Sequence, residues 1–318
     1  MVGTIGDEER DRVRRFLLEA AAVVPHIDAD GLAAGAMALR ARGEPAAAAV
    51  LLGRGQTPFG PDAPLPPGPL VILDWGVRPL DRPALLIDHH APEAQPGAGQ
   101  IVISAYGERP EVSTAPLLRR LLPDAPAWLA AVGAVGDLGA DGFALPECAG
   151  APKTAVRKLV PLVNAPRRLR AGPVREALAL LVEHDDPRAA LQDPRVALLE
   201  ESRAAWRAAY ERAMKVAPLV RGGVAVIRFA EPYQIHPLVA TAWSKRLAPR
   251  AVLAANDDYL PDRVAFAVRG GAGDLRRLLR DALPDLGGEF AHGHDGATGG
   301  QIAPRDFERL LAALGVQG

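Results

Sequence analysis

Ala84-Leu85-Leu86-Ile87-Asp88-His89-His90 decides the fold of this chain. Four apolar residues in a row, without polar alternation, predict a strand buried on both faces. Such strands belong to parallel sheets, and in open α/β sheets ligands gather beyond the carboxyl ends of the strands. This strand delivers one carboxylate and two imidazoles to that end.

The neighbouring segments repeat the pattern. Residues 22–27 predict a short buried strand, followed by a turn over residues 28–31 and a small-residue helix over 32–42. Residues 47–52 predict a second strand, and the Pro- and Gly-rich stretch 53–69 a loop. Residues 70–73 and 100–104 predict two more strands. Ser113 or Thr114 is a candidate cap for a helix reaching Leu122. Pro126 precedes an apolar helix over 127–135 that ends at Gly136-Asp137. Strands alternating with helices predict an α/β fold: an N-terminal parallel-sheet domain with helices on both faces. A helix over residues 196–217 leads to a smaller C-terminal α/β domain. Its expected strands are 224–229, 251–255 and 264–268, and its helices 237–247 and 274–283. A glycine-rich loop over 287–300 and a last helix from Pro304 follow. The expected domains are 1–190, a connector helix 191–218, and 219–318.

Length and composition narrow the class. A chain of 318 residues, 49% hydrophobic and 24% charged, has ample material for two cores. The net charge of −1 argues against a long nucleic-acid track, although 37 Lys+Arg leave room for a local one. One cysteine, Cys148, excludes a disulfide framework within the chain and fits a cytoplasmic protein. The charged start, residues 1–15, does not resemble a signal peptide, and no apolar run approaches membrane-spanning length.

Four more stretches carry chemistry. In His26-Ile27-Asp28-Ala29-Asp30-Gly31, alternate positions of extended chain point to one side, so His26, Asp28 and Asp30 can face one site. The same letters also serve an N-cap aspartate beside a surface histidine. Asp74 follows an apolar strand directly, and Trp75 beside it reads as packing. His89 and His90, being adjacent, point to opposite sides of extended chain, so one can bind metal while the other faces substrate or a supporting partner. Asp137 lies among Gly133, Gly136 and Gly139, which predicts close backbone approach to a neighbour. Carboxylates and imidazoles without thiolate suit manganese, magnesium or cobalt better than a structural zinc. A carboxylate such as Asp74 can bridge two such ions. In the C-terminal half, Gly287-Gly288-Glu289-Phe290-Ala291-His292-Gly293-His294-Asp295-Gly296-Ala297-Thr298-Gly299-Gly300 offers amides and histidines to an anion. Arg269, at the end of a strand, offers a guanidinium to a phosphate.

Taken in order, His26-x-Asp28-x-Asp30-Gly31, Asp74, Asp88-His89-His90 and Gly136-Asp137 resemble the motifs of the DHH phosphoesterase superfamily. His294 to Gly300 resembles the glycine-histidine signature of its C-terminal DHHA1 domain. The resemblance spans nearly the whole chain. It implies that His26, Asp28 and Asp74 hold one manganese and that Asp30, Asp74, His89 and Asp137 hold another, with Asp74 shared. It implies that Asp88 orients the cluster and that His90 faces the scissile phosphate. Arg269, His292, His294, Gly299 and Gly300 would bind substrate from the second domain, with the metal site in the interdomain cleft. Magnesium or cobalt is an alternative to manganese.

The first motif's spacing resembles the RecJ-type branch. The two-domain size, without an added oligonucleotide-binding barrel, resembles nanoRNases and pAp phosphatases. The expected activity is therefore manganese-dependent phosphodiesterase or exonuclease action on short single-stranded oligonucleotides, releasing nucleoside 5′-monophosphates. Alternatives are a RecJ-like single-strand DNA exonuclease, a cyclic-dinucleotide or pAp phosphoesterase, a polyphosphatase or pyrophosphatase, and a non-catalytic nucleotide-binding subunit. The expected partner is a short oligonucleotide or nucleotide, with no membrane; a homodimer is compatible with this.

Overall fold

The computed structural model describes residues 6–221, 223–271, 273–294 and 296–316, the side chains of 287–289 and 292–294 excepted. The chain forms two compact units, one of residues 1–167 and 171–203, the other of residues 168–170 and 204–318.

The first unit opens with helix α1 (Asp7–Glu19) and is built on four parallel strands: β1 (Ala22–Pro25), β2 (Leu70–Leu73), β3 (Ala84–Asp88) and β4 (Gln100–Ser104). They lie in sequence order, with Val23 level with Val71 and Ile72 level with Leu86. β1, β2 and β3 are buried along their whole length, as expected of apolar runs without alternation. Side chains alternate between two cores. Val23, Val71, Leu73, Leu85 and Ile87 face helices α1, α2 (Ala29–Arg42), α3 (Thr114–Leu121), α4 (Ala127–Leu138), α5 (Lys153–Val163) and α6 (Val174–Glu183). Val24, Ile72 and Leu86 face loop residues Leu52, Phe59, Leu65 and Leu80. Among the described residues of this second cluster none is helical, so the expected helical layer on that face is replaced by connecting chain.

Two local expectations are corrected. Residues 47–52 do not form a strand. A 3-10 turn at Ala46–Ala48 is followed by chain that gives the sheet one bond, Val50 N–H to the Val23 carbonyl, 2.9 Å. The apolar run reports burial rather than pairing. The expected turn at 28–31 is the start of α2: Asp28 is its N-cap, and its Oδ1 accepts the Gly31 N–H at 3.1 Å. α2 is buried from Ala29 to Leu39, and its small side chains let helices pack against it closely.

After α7 (Pro187–Ala190), helix α8 (Val196–Ala213) contains the division between the units. The second unit is a six-stranded mixed sheet in the order β5-β6-β7-β8-β10-β9. Its elements are β5 (Leu219–Arg221), β6 (Val224–Phe229), α9 (His236–Leu247), β7 (Ala251–Leu260), β8 (Arg263–Gly270), α10 (Leu275–Ala282), β9 (His292–His294), β10 (Ala297–Ile302) and α11 (Pro304–Ala313). β6 and β7 pair in parallel across α9, a crossover unit. α10 and α11 cover one face, and α8 and α9 the other. The glycine-rich stretch expected as a loop is mostly regular: a 3-10 segment at Pro284–Phe290, then β9 paired to β10, which pairs to β8.

Candidate metal centre

Four segments of the first unit converge beyond the carboxyl ends of β1, β2 and β3. His26 continues β1, donating its N–H to the Leu73 carbonyl at 2.9 Å. Two residues later the chain turns into α2, so Asp28 and Asp30 reach the site from an N-cap and a first helical turn, not from alternate positions of a strand. Gly31 has a steric reason, because a Cβ there would collide with the His26 backbone and side chain.

Asp74 follows β2 with φ 68°, in the left-handed region. A residue with a Cβ is held there at a cost of about 1–2 kcal/mol. Strain of this kind persists where the surroundings fix it, often at functional sites. Its N–H donates to the Ile87 carbonyl at 3.0 Å, and its side chain is 2% exposed. His89 and His90 follow β3. The strand ends at Asp88 and the chain bends, so the two rings do not diverge: their centroids are 4.2 Å apart. Asp137 comes from the last turn of α4. That helix lies against α2 through Gly133, whose Cβ would meet Asp30 and Ala115, and Gly136, whose Cβ would stand 2.8 Å from that of Ala29.

The resulting distances are short. His26 Nδ1 lies 2.8 Å from Asp28 Oδ2 and 3.6 Å from Asp74 Oδ2. His89 Nε2 lies 3.4 Å from Asp74 Oδ1 and 3.2 Å from Asp137 Oδ2. The two Asp74 oxygens thus face different histidines. Potential ligand atoms within 4.8 Å of one another group as His26, Asp28 and Asp74, as Asp30, Asp74, His89 and Asp137, and as Asp74, His89 and His90. His26 Nδ1 and His89 Nε2 are buried and make no aligned hydrogen bond although carboxylate oxygens surround them. A ring nitrogen and carboxylate oxygens aimed at one point suit a shared cation better than one another. Their donors are all hard oxygen or imidazole, which fits manganese or magnesium. The Cys148 thiol is buried, and burial with the Glu147 charge pushes it up to about 12, away from thiolate chemistry.

The electrostatics fit the same reading. Burial alone would lower the histidines, but neighbouring carboxylates outweigh it: Asp28 and Asp74 hold His26 up at about 10, and Asp137 and Asp74 hold His89 up at about 11. Burial raises Asp28, yet His26 and Arg167 bring it well below the usual carboxylate range. Asp30 is pushed up by burial and by the charges of Asp74 and Asp137, and Asp137 is raised chiefly by burial. Cations between these carboxylates offset that repulsion.

Asp88 accepts the Gly76 N–H at 2.7 Å and the His90 N–H at 2.6 Å, and its Oδ1 lies 3.2 Å from His90 Nδ1. Asp88 holds His90 above its ordinary value, and the His90 side chain is 44% exposed.

Four residues with no role in the motifs also reach the cluster. Arg167 Nη1 donates to Asp28 Oδ2 at 3.0 Å, and Asn164 Oδ1 accepts the Ala29 N–H at 2.9 Å. Ser113 Oγ donates to Asp30 Oδ1 and Thr114 Oγ1 to Asp74 Oδ1, both at 2.9 Å. Trp75, read as packing, sets its ring edge-to-face on His26, with centroids 4.8 Å apart.

The remaining expected residues lie in the second unit. Arg269 ends β8 and donates to the Val268 and Thr298 carbonyls at 2.8 and 3.0 Å. Gly299 and Gly300 lie in β10, where a Cβ would strike the Phe266 and Phe290 carbonyl oxygens respectively. Close packing of β10 against β8 and against the 3-10 segment therefore already requires both glycines. The side chains of His292 and His294, and Asp295 between His294 and Gly296, lie outside the described residues.

No family model and no curated protein sequence matches the chain. Solved structures do. RecJ from Thermus thermophilus in complex with Mn2+ matches with TM-score 0.70 at 19% identity, over 99% of this chain and 55% of that one. The chain thus spans about half the length of that protein. An exonuclease RecJ bound to manganese matches with TM-score 0.62 at 19% identity, over 99% of this chain and 95% of that one. PggH, a pGpG-specific phosphodiesterase from Vibrio cholerae, matches with TM-score 0.52 at 16% identity, over 92% and 97%. The parallel four-stranded unit, the mixed second sheet and the Asp/His cluster at the strand ends give this chain the fold of the DHH phosphoesterases.

Proposed function

We propose that this chain is a manganese-dependent phosphodiesterase that releases nucleoside 5′-monophosphates from short single-stranded oligonucleotides. The observation that carries this reading is the position of Asp74, which shares one carboxylate between two groups of potential ligands. His26, Asp28 and Asp74 would hold one cation, and Asp30, Asp74, His89 and Asp137 the other. Two divalent cations so placed supply an activated water and offset charge on the phosphoryl oxygens.

The chain's own groups do the rest. Asp88 fixes the His90 ring through Nδ1 and favours its protonated form, so that Nε2 would meet a phosphoryl or leaving oxygen. His26 and Arg167 together favour the ionised form of Asp28. Arg269, His292, His294, Gly299 and Gly300 would contact the substrate phosphate or nucleotide. The near-neutral net charge and the likeness to PggH, named for a dinucleotide, support a short substrate. The higher similarity to RecJ, together with the His-x-Asp-x-Asp spacing, supports a second reading, a single-strand DNA exonuclease.

End-labelled RNA and DNA oligomers from two to about thirty nucleotides, digested with Mn2+, separate the two, because length matters only where a binding track exists. Turnover confined to the shortest species supports the first reading, and sustained cleavage of the longest supports the second. Absence of hydrolysis at every length overturns both.

A further inference from the structure

Two carboxylates of the cluster, Asp30 and Asp74, come from different elements and repel each other, yet both are held by one residue outside the motifs. Thr114 begins α3. Its N–H donates to Asp30 Oδ2 at 2.6 Å, and its hydroxyl donates to Asp74 Oδ1 at 2.9 Å. The Ala115 N–H and the Ser113 hydroxyl complete the set on Asp30 Oδ1, each at 2.9 Å. Ser113 stands at the N-cap position of α3, but its side chain caps nothing there. The Asp30 carboxylate takes that place from 83 residues away. Asp30, Ser113 and Thr114 are all fully buried.

The hydrogen bonds divide the labour between the two carboxylates. Asp30 accepts three donors across its two oxygens, out of about four lone-pair positions, so about one position remains to meet a cation. Asp74 accepts one side-chain donor, on the oxygen that faces His89, while its other oxygen faces His26. Rotation of that carboxylate would break the Thr114 bond and turn both oxygens away from their histidines. We propose that Thr114 is a positioning residue of the metal centre: its hydroxyl fixes the rotation of the Asp74 carboxylate, so that the two oxygens serve the two ligand groups. This rests on the metal-dependent reading above.

The test is Mn2+ binding, measured by calorimetry and by the electron paramagnetic resonance of the free ion, on the full chain without substrate. Thr114→Val keeps the shape and the backbone N–H but removes the hydroxyl, and Thr114→Ser restores it. Outer-shell partners of metal ligands are worth about 10–100-fold in affinity, so Thr114→Val should weaken Mn2+ binding by about that factor and Thr114→Ser should recover most of it. Ser113→Ala, which removes a hydroxyl from the same helix start but not from Asp74, should fall between Thr114→Ser and Thr114→Val. Circular dichroism and thermal melting report folding. Should Thr114→Val not fold, Thr114→Ala carries the same comparison, since a methyl also lacks the donor. A wild type that binds Mn2+ and a folded hydroxyl-free variant that binds it equally overturn this inference alone. A wild type that binds no divalent cation overturns the metal centre and this inference together.

Discussion

The Cα of Gly133 faces the Asp30 carboxylate with no space between them for a Cβ. Helix α4, which brings Asp137, can therefore dock on α2 only because one of its turns is bare. A methyl at 133 would push into Asp30 and Ala115, and neither can yield, because Asp30 is bonded to the start of α3. Overpacking of a filled core costs about 1–3 kcal/mol. Gly133→Ala should lower the thermal midpoint and also weaken Mn2+ binding, because Asp137 moves with its helix. A variant with unchanged melting and unchanged metal affinity would show that α4 tolerates the displacement.

Asp74→Asn separates fold from chemistry. Asparagine accepts the left-handed backbone at this position and keeps the side-chain shape, so the fold should persist. The shared charge is lost. Turnover should fall by about three orders of magnitude or more with Mn2+, Mg2+ or Co2+ alike, since metal assistance supplies several kcal/mol of transition-state stabilisation. Rates for the folded variant that match wild type with any of these ions would remove Asp74 from the site.

Metal binding should release protons. His26 and His89 are held at about 10 and about 11, so both carry a proton at pH 7, whereas a metal ligand must be a neutral imidazole. A cation entering the cluster displaces those protons. Its apparent affinity should therefore rise with pH between about 6 and 8, with up to about two protons released per chain at pH 7. Titration in two buffers of different ionisation enthalpy reads this number, and His89→Ala should reduce it. Affinity independent of pH over that range would place the protons elsewhere.

Arg269→Ala should raise KM more than it lowers kcat if the guanidinium contributes uniform binding to a substrate phosphate. Burial holds Arg269 below its ordinary value, and its Nη1 bonds to the Val268 and Thr298 carbonyls, so some loss of stability accompanies the change. A loss confined to kcat would assign it to the transition state instead.

The parallel sheet was legible because unalternated apolar runs, 70–73 and 84–87, leave a strand no exposed face. The acids after them were legible because a polar residue directly beyond such a run has to emerge at the sheet's end. Residues 47–52 misled for the same reason in reverse: Leu52 is buried against the sheet without pairing to it. Asp28 was open to two readings, cap or ligand, and the structure makes it an N-cap that also lies beside His26. Gly133 and Gly136 announced a close approach but not its partner, which for Gly133 is Asp30, far back in the chain. Arg167 and Asn164 left no local signal, since each meets a partner in the first turn of α2 from more than a hundred residues away. Ser113 and Thr114 looked like an ordinary helix start, and nothing near them in sequence reveals that their donors belong to Asp30 and Asp74.

The buried Cys148 has a consequence for handling the protein. It is the sole sulfhydryl of the chain and stays protonated far above neutral pH. Oxidants and alkylating reagents have little thiolate to attack. Thiol reductants, which compete for manganese, can be left out of reconstitution, and soft contaminating ions such as cadmium find imidazole and carboxylate but no sulfur anion to favour them.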